Sequence, residues 1–124
     1  MPARSLRVVL IDDDERFRAV ACRALIADGV EVLAEVEKGE DALHAIAHWR
    51  PDIVLLDIRL PGIDGLEVAR QLRLEEGGPV VILISTLDAA YGRRVAAGLA
   101  AGFLPKDEIS LTAILEIAGR EAHP

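Results

Sequence analysis

Four short apolar runs in this sequence lead into residues that could handle phosphate. Leu6 to Ile11 runs into Asp12-Asp13-Asp14, and Ile53 to Leu56 runs into Asp57. Val80 to Ile84 runs into Ser85-Thr86, and Gly102 to Leu104 is followed, one residue on, by Lys106. Brought to one low-dielectric rim, Asp12, Asp13 and Asp57 would repel one another strongly. A hard divalent cation relieves that repulsion, and Mg²⁺ favours one or two carboxylates completed by water and phosphate oxygens. A carboxylate beside such an ion can act as a nucleophile toward phosphorus. The ammonium of Lys106 would neutralise the charge that spreads over a phosphoryl group in flight, and the Ser85 hydroxyl could donate to one of its oxygens. The set holds the parts needed for phosphoryl transfer to a carboxylate.

Taken singly, these residues have plainer readings. A lone Asp after a strand is usually a turn or helix cap, and Asp14 is read that way, ahead of a helix starting near Arg16. What matters is whether the strand ends converge, and the element order says that they do. Apolar residues at helical spacing (Phe17, Val20, Ala21, Ala24, Leu25) follow the first run. Val30 to Val36 alternates as a half-exposed strand, and Ala42, Leu43, Ile46 and Ala47 mark a second helix. Ile53 to Leu56 is apolar throughout, as a central parallel strand buried on both faces must be. Leu66, Val68, Ala69 and Leu72 mark a third helix. Tyr91, Val95 and Leu99 mark a fourth, and Leu111, Ile114, Leu115 and Ala118 a fifth. Strands alternating with helices predict an α/β sandwich with a five-stranded parallel sheet and helices on both faces. The flavodoxin-like order 2-1-3-4-5 fits, with ligands outside the carboxyl ends of the strands near the switch between strands one and three.

Composition sets the remaining bounds. With 124 residues the chain is expected to be one domain over residues 1–124, its core spanning about 6–121. Hydrophobic residues at 52% are too many for a disordered chain, and aromatics at 3% make the core aliphatic. A net charge of −7 argues against direct nucleic-acid contact. The opening MPARSLRVVLIDDD holds too short an apolar run for a signal peptide or a membrane span, so the expected location is cytoplasmic. The lone cysteine, Cys22, reads as a small buried hydrophobe. Trp49 reads as packing, and His44 and His48 as a solvated helix face.

These residues resemble the receiver domain of bacterial two-component response regulators. The resemblance rests on VVLIDDDERFR (residues 8–18), on PDIVLLDIRLPGIDGLEVARQLR (residues 51–73), with its spacing of Asp57, Pro61, Asp64 and Gly65, and on AGFLPKD (residues 101–107). It implies that Asp57 accepts a phosphoryl group from a sensor histidine kinase, and that Asp12, Asp13, Asp57 and the backbone carbonyl of Arg59 hold Mg²⁺. It also implies that Ser85 is the switch hydroxyl, Phe103 the switch aromatic and Lys106 the partner of the phosphoryl oxygens. Output would pass to an attached domain or partner protein through the fourth helix, fifth strand and fifth helix.

Three departures from the family pattern stand out. Counting back from Lys106 without a gap puts Ile84 at the hydroxyl position. A one-residue deletion in residues 86–90 restores Ser85, with Thr86 the substitute. Asp107 follows Lys106 where the family commonly has proline, which removes the usual cis peptide. Gly98-Leu99 alters the turn before the fifth strand. Receivers joined to helix-turn-helix domains often carry the lysine–acid pairing, which points to such a parent. The sequence leaves two alternatives open. One is a haloacid-dehalogenase-type phosphatase using Asp12 and Asp14. The other is a receiver-like interaction module that works without phosphate.

Overall fold

The computed structural model describes residues 5–122. Its elements are β1 (Arg7–Ile11), α1 (Glu15–Ala27), β2 (Glu31–Val36), α2 (Gly39–Trp49), β3 (Ile53–Asp57), α3 (Gly65–Arg73), β4 (Val80–Ser85), α4 (Ala89–Ala96), β5 (Gly102–Pro105), a 3₁₀ turn (Lys106–Glu108) and α5 (Leu111–Ala122). All strand pairs are parallel, and the sheet order is β2-β1-β3-β4-β5. The flavodoxin-like order expected from the sequence is the one observed.

Period-two alternation divides the core into two layers. Val9, Ile11, Val54, Leu56, Val81, Leu83 and Phe103 face one way and pack with Ala42 and Ile46 of α2, Val68, Ala69 and Leu72 of α3, and Ala96 of α4. Val8, Leu10, Ile53, Leu55, Ile82 and Ile84 face the other way and pack with Ala21, Cys22 and Leu25 of α1 and Ile114 and Ile117 of α5. The inner strands β1, β3 and β4 are therefore covered on both faces, which is why they read as unbroken Val/Ile/Leu runs. The outer strand β2 keeps Glu31 and Glu35 exposed, and such charges discourage pairing with another chain.

Side-chain caps start four helices. Asp14 accepts from the amides of Arg16 and Phe17, Asp64 from Glu67, Asp88 from Tyr91, and Ser110 from Ala113. Burial of Cys22 agrees with the sequence reading, and desolvation, with the Glu35 carboxylate second, raises its thiol to about 11. Trp49 is less enclosed than expected: it is 39% exposed and lies edge-on to His48.

Four helix faces differ from their sequence readings, and on α2 the difference is that Ala47 is exposed. On α1, Val20 is 67% exposed and Ala24 is exposed, while Cys22 is buried. The helix is rotated so that Arg18 joins the sheet-facing stripe, where its guanidinium donates to the backbone carbonyl of Asp12 at 2.6 Å. On α5, Leu115 is exposed and Ile117 is buried in its place. On α4, Tyr91 is exposed and the helix ends at Ala96, short of Leu99. The sheet-facing positions of α4 are Gly92 and Ala96 because Phe103 fills the space beneath them. A Cβ on Gly92 would collide with the Phe103 ring.

Candidate functional site

Strand register brings the polar ends together. Ile11 pairs with Leu56, so Asp12 emerges beside Asp57. Asp57 pairs with Ile84, and Ser85 pairs with Pro105, which sets Lys106 one residue past the neighbouring strand. Among the described residues, the buried polar or charged ones are Asp12, Asp57 and Ser85, all at this edge. Asp13 is exposed. Asp12, Asp13 and Asp57 each offer a carboxylate oxygen within 4.8 Å of the others. This is an all-oxygen donor set with high negative charge, which suits a hard divalent cation such as Mg²⁺.

The two buried carboxylates are tied in the same way. One Asp12 oxygen accepts from the Asp14 amide at 2.9 Å, and one Asp57 oxygen accepts from the Arg59 amide at 3.1 Å. The other oxygen of each faces the Lys106 ammonium, which lies 2.6 Å from Asp12 and 3.4 Å from Asp57. Arg59 thus reaches the site by its backbone, with its side chain exposed.

Lys106 is shared unequally, and this shapes the electrostatics. Burial pushes its ammonium down, but the hydrogen bond to Asp12 and the charges of Asp57 and Asp12 outweigh it and hold the group above the usual lysine range. Burial raises the Asp57 carboxyl from 3.8 to about 6. The Arg59 amide opposes that rise, the Asp12 charge adds to it, and Lys106 again opposes it. Asp12 holds the shorter contact to the ammonium, so Asp57 is left under-compensated and more basic than an exposed aspartate.

Ser85 and Thr86 separate cleanly. Ser85 is buried at the end of β4, and its Oγ accepts from the Leu87 amide at 3.0 Å, whereas Thr86 is exposed. Phe103 is buried already, seated under Gly92. Asp107 takes the place of proline without a cis bond, since none is present among the described residues. A cleft of about 420 Å³ opens beside the acids, lined by Asp14, Phe17, Ser85, Thr86, Pro105, Lys106 and Asp107. A larger groove of about 870 Å³, around Arg50, Asp52, Glu75 and Glu76, is lined by none of these residues and by none of Asp12, Asp13 and Asp57. The Asp12–Asp14 pair of the phosphatase alternative is not assembled: the Asp14 carboxylate caps α1 instead.

Four residues support the site in ways that the sequence reading did not give them. Arg18 anchors the Asp12 carbonyl and also lies 3.4 Å from Glu35 and 3.9 Å from Glu37. An arginine on an otherwise apolar stripe with Ala21, Cys22 and Leu25 is the signal that could have revealed it. The Phe17 ring lies 4.7 Å from the Lys106 ammonium, although its spacing suggested only core packing. Gly92 seats Phe103. Gly65 lets the start of α3 press on the strand that carries Asp57, since any Cβ there would collide with the Asp57 carbonyl oxygen. Gly65→Ala is accordingly expected to lower stability by roughly 2–3 kcal/mol through forced displacement of that backbone. Urea denaturation reads this directly, and an unchanged midpoint would contradict so close an approach.

Residues 8–118 match the family model described as the response regulator receiver domain. The DNA-binding transcriptional activator EvgA of Escherichia coli (strain K12) is 33% identical over 104 residues, covering 83% of this chain and 51% of EvgA. The response regulator MprA of Mycobacterium sp. (strain KMS) is 42% identical over 104 residues, covering 82% of this chain and 44% of MprA. The chain thus spans about half the length of these relatives. Among solved structures, the signal receiver domain of the response regulator NarL from Mycobacterium tuberculosis superposes with a TM-score of 0.83 at 38% identity, covering 94% of this chain and 98% of that one. The BeF₃-activated N-terminal receiver domain of Klebsiella pneumoniae RstA gives 0.75 at 28% identity, covering 95% and 99%. Sequence, topology and site agree, and the chain belongs to the response regulator receiver domain family.

Proposed function

We propose that Asp57 takes a phosphoryl group from a phosphohistidine of a sensor histidine kinase and that the protein relays this event as a change of shape. The observation that carries the proposal is the Asp57 carboxylate itself, buried and raised to about 6, with oxygens of Asp12 and Asp13 within 4.8 Å and Lys106 at 3.4 Å. In the transfer an Asp57 oxygen attacks phosphorus, the P–N bond to the donor imidazole breaks, and an acyl phosphate forms. Lys106 moves its share of hydrogen bonding from the carboxylates to the arriving phosphoryl oxygens. Asp12, Asp13 and Asp57, with the backbone carbonyl of Arg59, would hold Mg²⁺, which when bound offsets negative charge on the phosphoryl oxygens. The domain itself is a phosphoacceptor and not an enzyme acting on a separate substrate.

A phosphoryl group brings about −1.5 to −2 charges and three strong acceptors. We take Ser85 to be the hydroxyl that turns toward it, because Ser85 is buried at the strand end and Thr86 is exposed. That turn would exchange the Leu87 amide contact for a phosphoryl oxygen and shift the loop after β4. Phe103, packed between that strand and Gly92, would carry the shift to the α4–β5–α5 surface, where an output domain or partner protein reads it. We take residues 6–121 to work as one receiver unit in the cytoplasm. Any DNA contact would belong to a separate domain, as the DNA-binding relative and the acidic charge of this chain suggest. No described helix is long and apolar enough to cross a membrane.

Acetyl phosphate with Mg²⁺ tests the proposal. The intact mass should rise by one phosphoryl group in Mg²⁺ and stay unchanged in EDTA; no gain in Mg²⁺ would leave a phosphate-independent module as the better account. The acyl phosphate should also last for minutes or longer. Arg59 and Leu87 follow Asp57 and Ser85 by two residues each, and neither supplies a base for the hydrolytic water. Loss of the added mass within seconds after removal of the donor would contradict that expectation.

A further inference from the structure

We propose that Phe17 is a positioning residue for Lys106, an inference that rests on the phosphoacceptor reading above. The Lys106 ammonium is flanked on one side by Asp12 and Asp57, at 2.6 and 3.4 Å. On another side it meets the Phe17 ring, whose centroid is 4.7 Å away. A lysine side chain has four rotatable carbons and a strongly hydrated head, so it does not hold one position unaided. Here only 14% of the side chain is exposed. The ring supplies what the carboxylates cannot. It attracts the cation without adding negative charge to a site that must admit a phosphoryl group. It also lines the cleft shared by Ser85, Thr86, Pro105 and Lys106.

Phe17 is itself held in register. Its amide donates to Asp14 at 3.1 Å, so the cap that starts α1 fixes the ring relative to Asp12, two residues before the cap. Asp107 follows Lys106 without a cis bond, and Lys106 opens a 3₁₀ turn. The lysine's direction is thus set by its side-chain neighbours and that turn. When the phosphoryl group arrives, Lys106 must leave its short contact with Asp12. The ring lets it swing toward Asp57 without becoming hydrated.

The competing explanation is plain packing, since Phe17 also touches the apolar layer beneath α1. Ring-retaining and ring-removing variants separate the two. Phe17→Leu and Phe17→Met keep apolar bulk but remove the ring, and each is expected to slow phosphoryl uptake from acetyl phosphate about fivefold. Phe17→Tyr keeps the ring and should restore most of the rate. Rates for Leu and Met equal to wild type, or a Tyr variant as slow as they are, would overturn the proposal.

A second readout does not depend on phosphoryl chemistry. The chain has two lysines, Lys38 and Lys106, so a lysine-selective NMR spectrum has an exposed internal reference. Protons over a ring face shift upfield. The Lys106 ε-methylene should lie upfield of that of Lys38 in the wild type and in Phe17→Tyr, and move back in Phe17→Leu. Coincident wild-type signals would refute the ring contact. A wild type that shows the shift but gains no phosphoryl group would instead count against the phosphoacceptor reading.

Discussion

Lys106→Met is expected to slow phosphoryl uptake by about 10²- to 10³-fold, the usual consequence of losing one pre-aligned donor to a developing anion. The effect on folding should be as clear and should depend on conditions. Lys106 is the cation in contact with both Asp12, which is fully buried, and Asp57. Removing one partner from a buried ion pair typically costs ~3–5 kcal/mol, because the remaining charge stays desolvated. Asp57 can escape that cost by taking up a proton, since it is already raised to about 6. The loss of stability in EDTA should therefore be largest above about pH 7 and smaller near pH 5, where the part due to Asp57 falls away. Mg²⁺ should return part of it, because a cation can again offset the carboxylates. Urea unfolding at the two pH values, with and without Mg²⁺, measures all three. A uniform loss independent of pH and metal would mean that Lys106 matters only for packing.

Asp57→Asn should behave in the opposite sense and melt higher than the wild type when metal is absent. The carboxyl titrates at about 6 in the fold against 3.8 for an unperturbed aspartate. Between those values the folded state binds the proton that the unfolded chain releases. Stability from this group is then fully present below the unfolded value and declines as pH rises through the folded value. A shift of this size corresponds to at most about 3 kcal/mol at neutral pH. Asparagine removes the charge and keeps the shape, so in EDTA the variant should gain ~1–3 kcal/mol above about pH 7 and almost nothing near pH 4. Saturating Mg²⁺ should narrow the difference. An Asn variant less stable than wild type at neutral pH without metal would show that Asp57 is compensated by more than Lys106 and the Arg59 amide.

Both expectations describe one design: a carboxylate kept in an unfavourable ionised state and therefore ready to react. Much of that design is legible in the sequence. The strands Ile53 to Asp57 and Val80 to Ser85 are covered by helices on both faces, so they must be apolar throughout, and the polar residue that ends each run marks the sheet edge. Parallel topology then places those ends together, which is why Asp12, Asp57 and Lys106 are legible in the sequence, whereas Ser85 is legible only with Thr86 as its substitute. Helix orientation was less legible. On α1 and α5 apolar residues occur on adjacent faces, and spacing alone does not say whether Val20 or Cys22, Leu115 or Ile117, meets the sheet. The choice on α1 accompanies a polar contact, Arg18 to the Asp12 carbonyl, that hydrophobic periodicity cannot register. Small residues hid their roles for a related reason. Gly92 and Gly65 matter through what they leave empty, and an empty volume becomes meaningful only when its neighbours, Phe103 and the Asp57 carbonyl, are known. The division of Lys106 between Asp12 and Asp57 was likewise beyond the sequence, since it turns on less than one ångström.

Asp57, and no other carboxylate in the cluster, is expected to carry the phosphoryl group. Borohydride reduces an aspartyl phosphate to homoserine, which marks the modified position permanently. After treatment with acetyl phosphate and Mg²⁺, followed by borohydride, peptide mass spectrometry should find homoserine at position 57, with positions 12, 13 and 14 unchanged. Homoserine at position 12 would contradict the account and restore the phosphatase chemistry that an acidic first strand end can also serve.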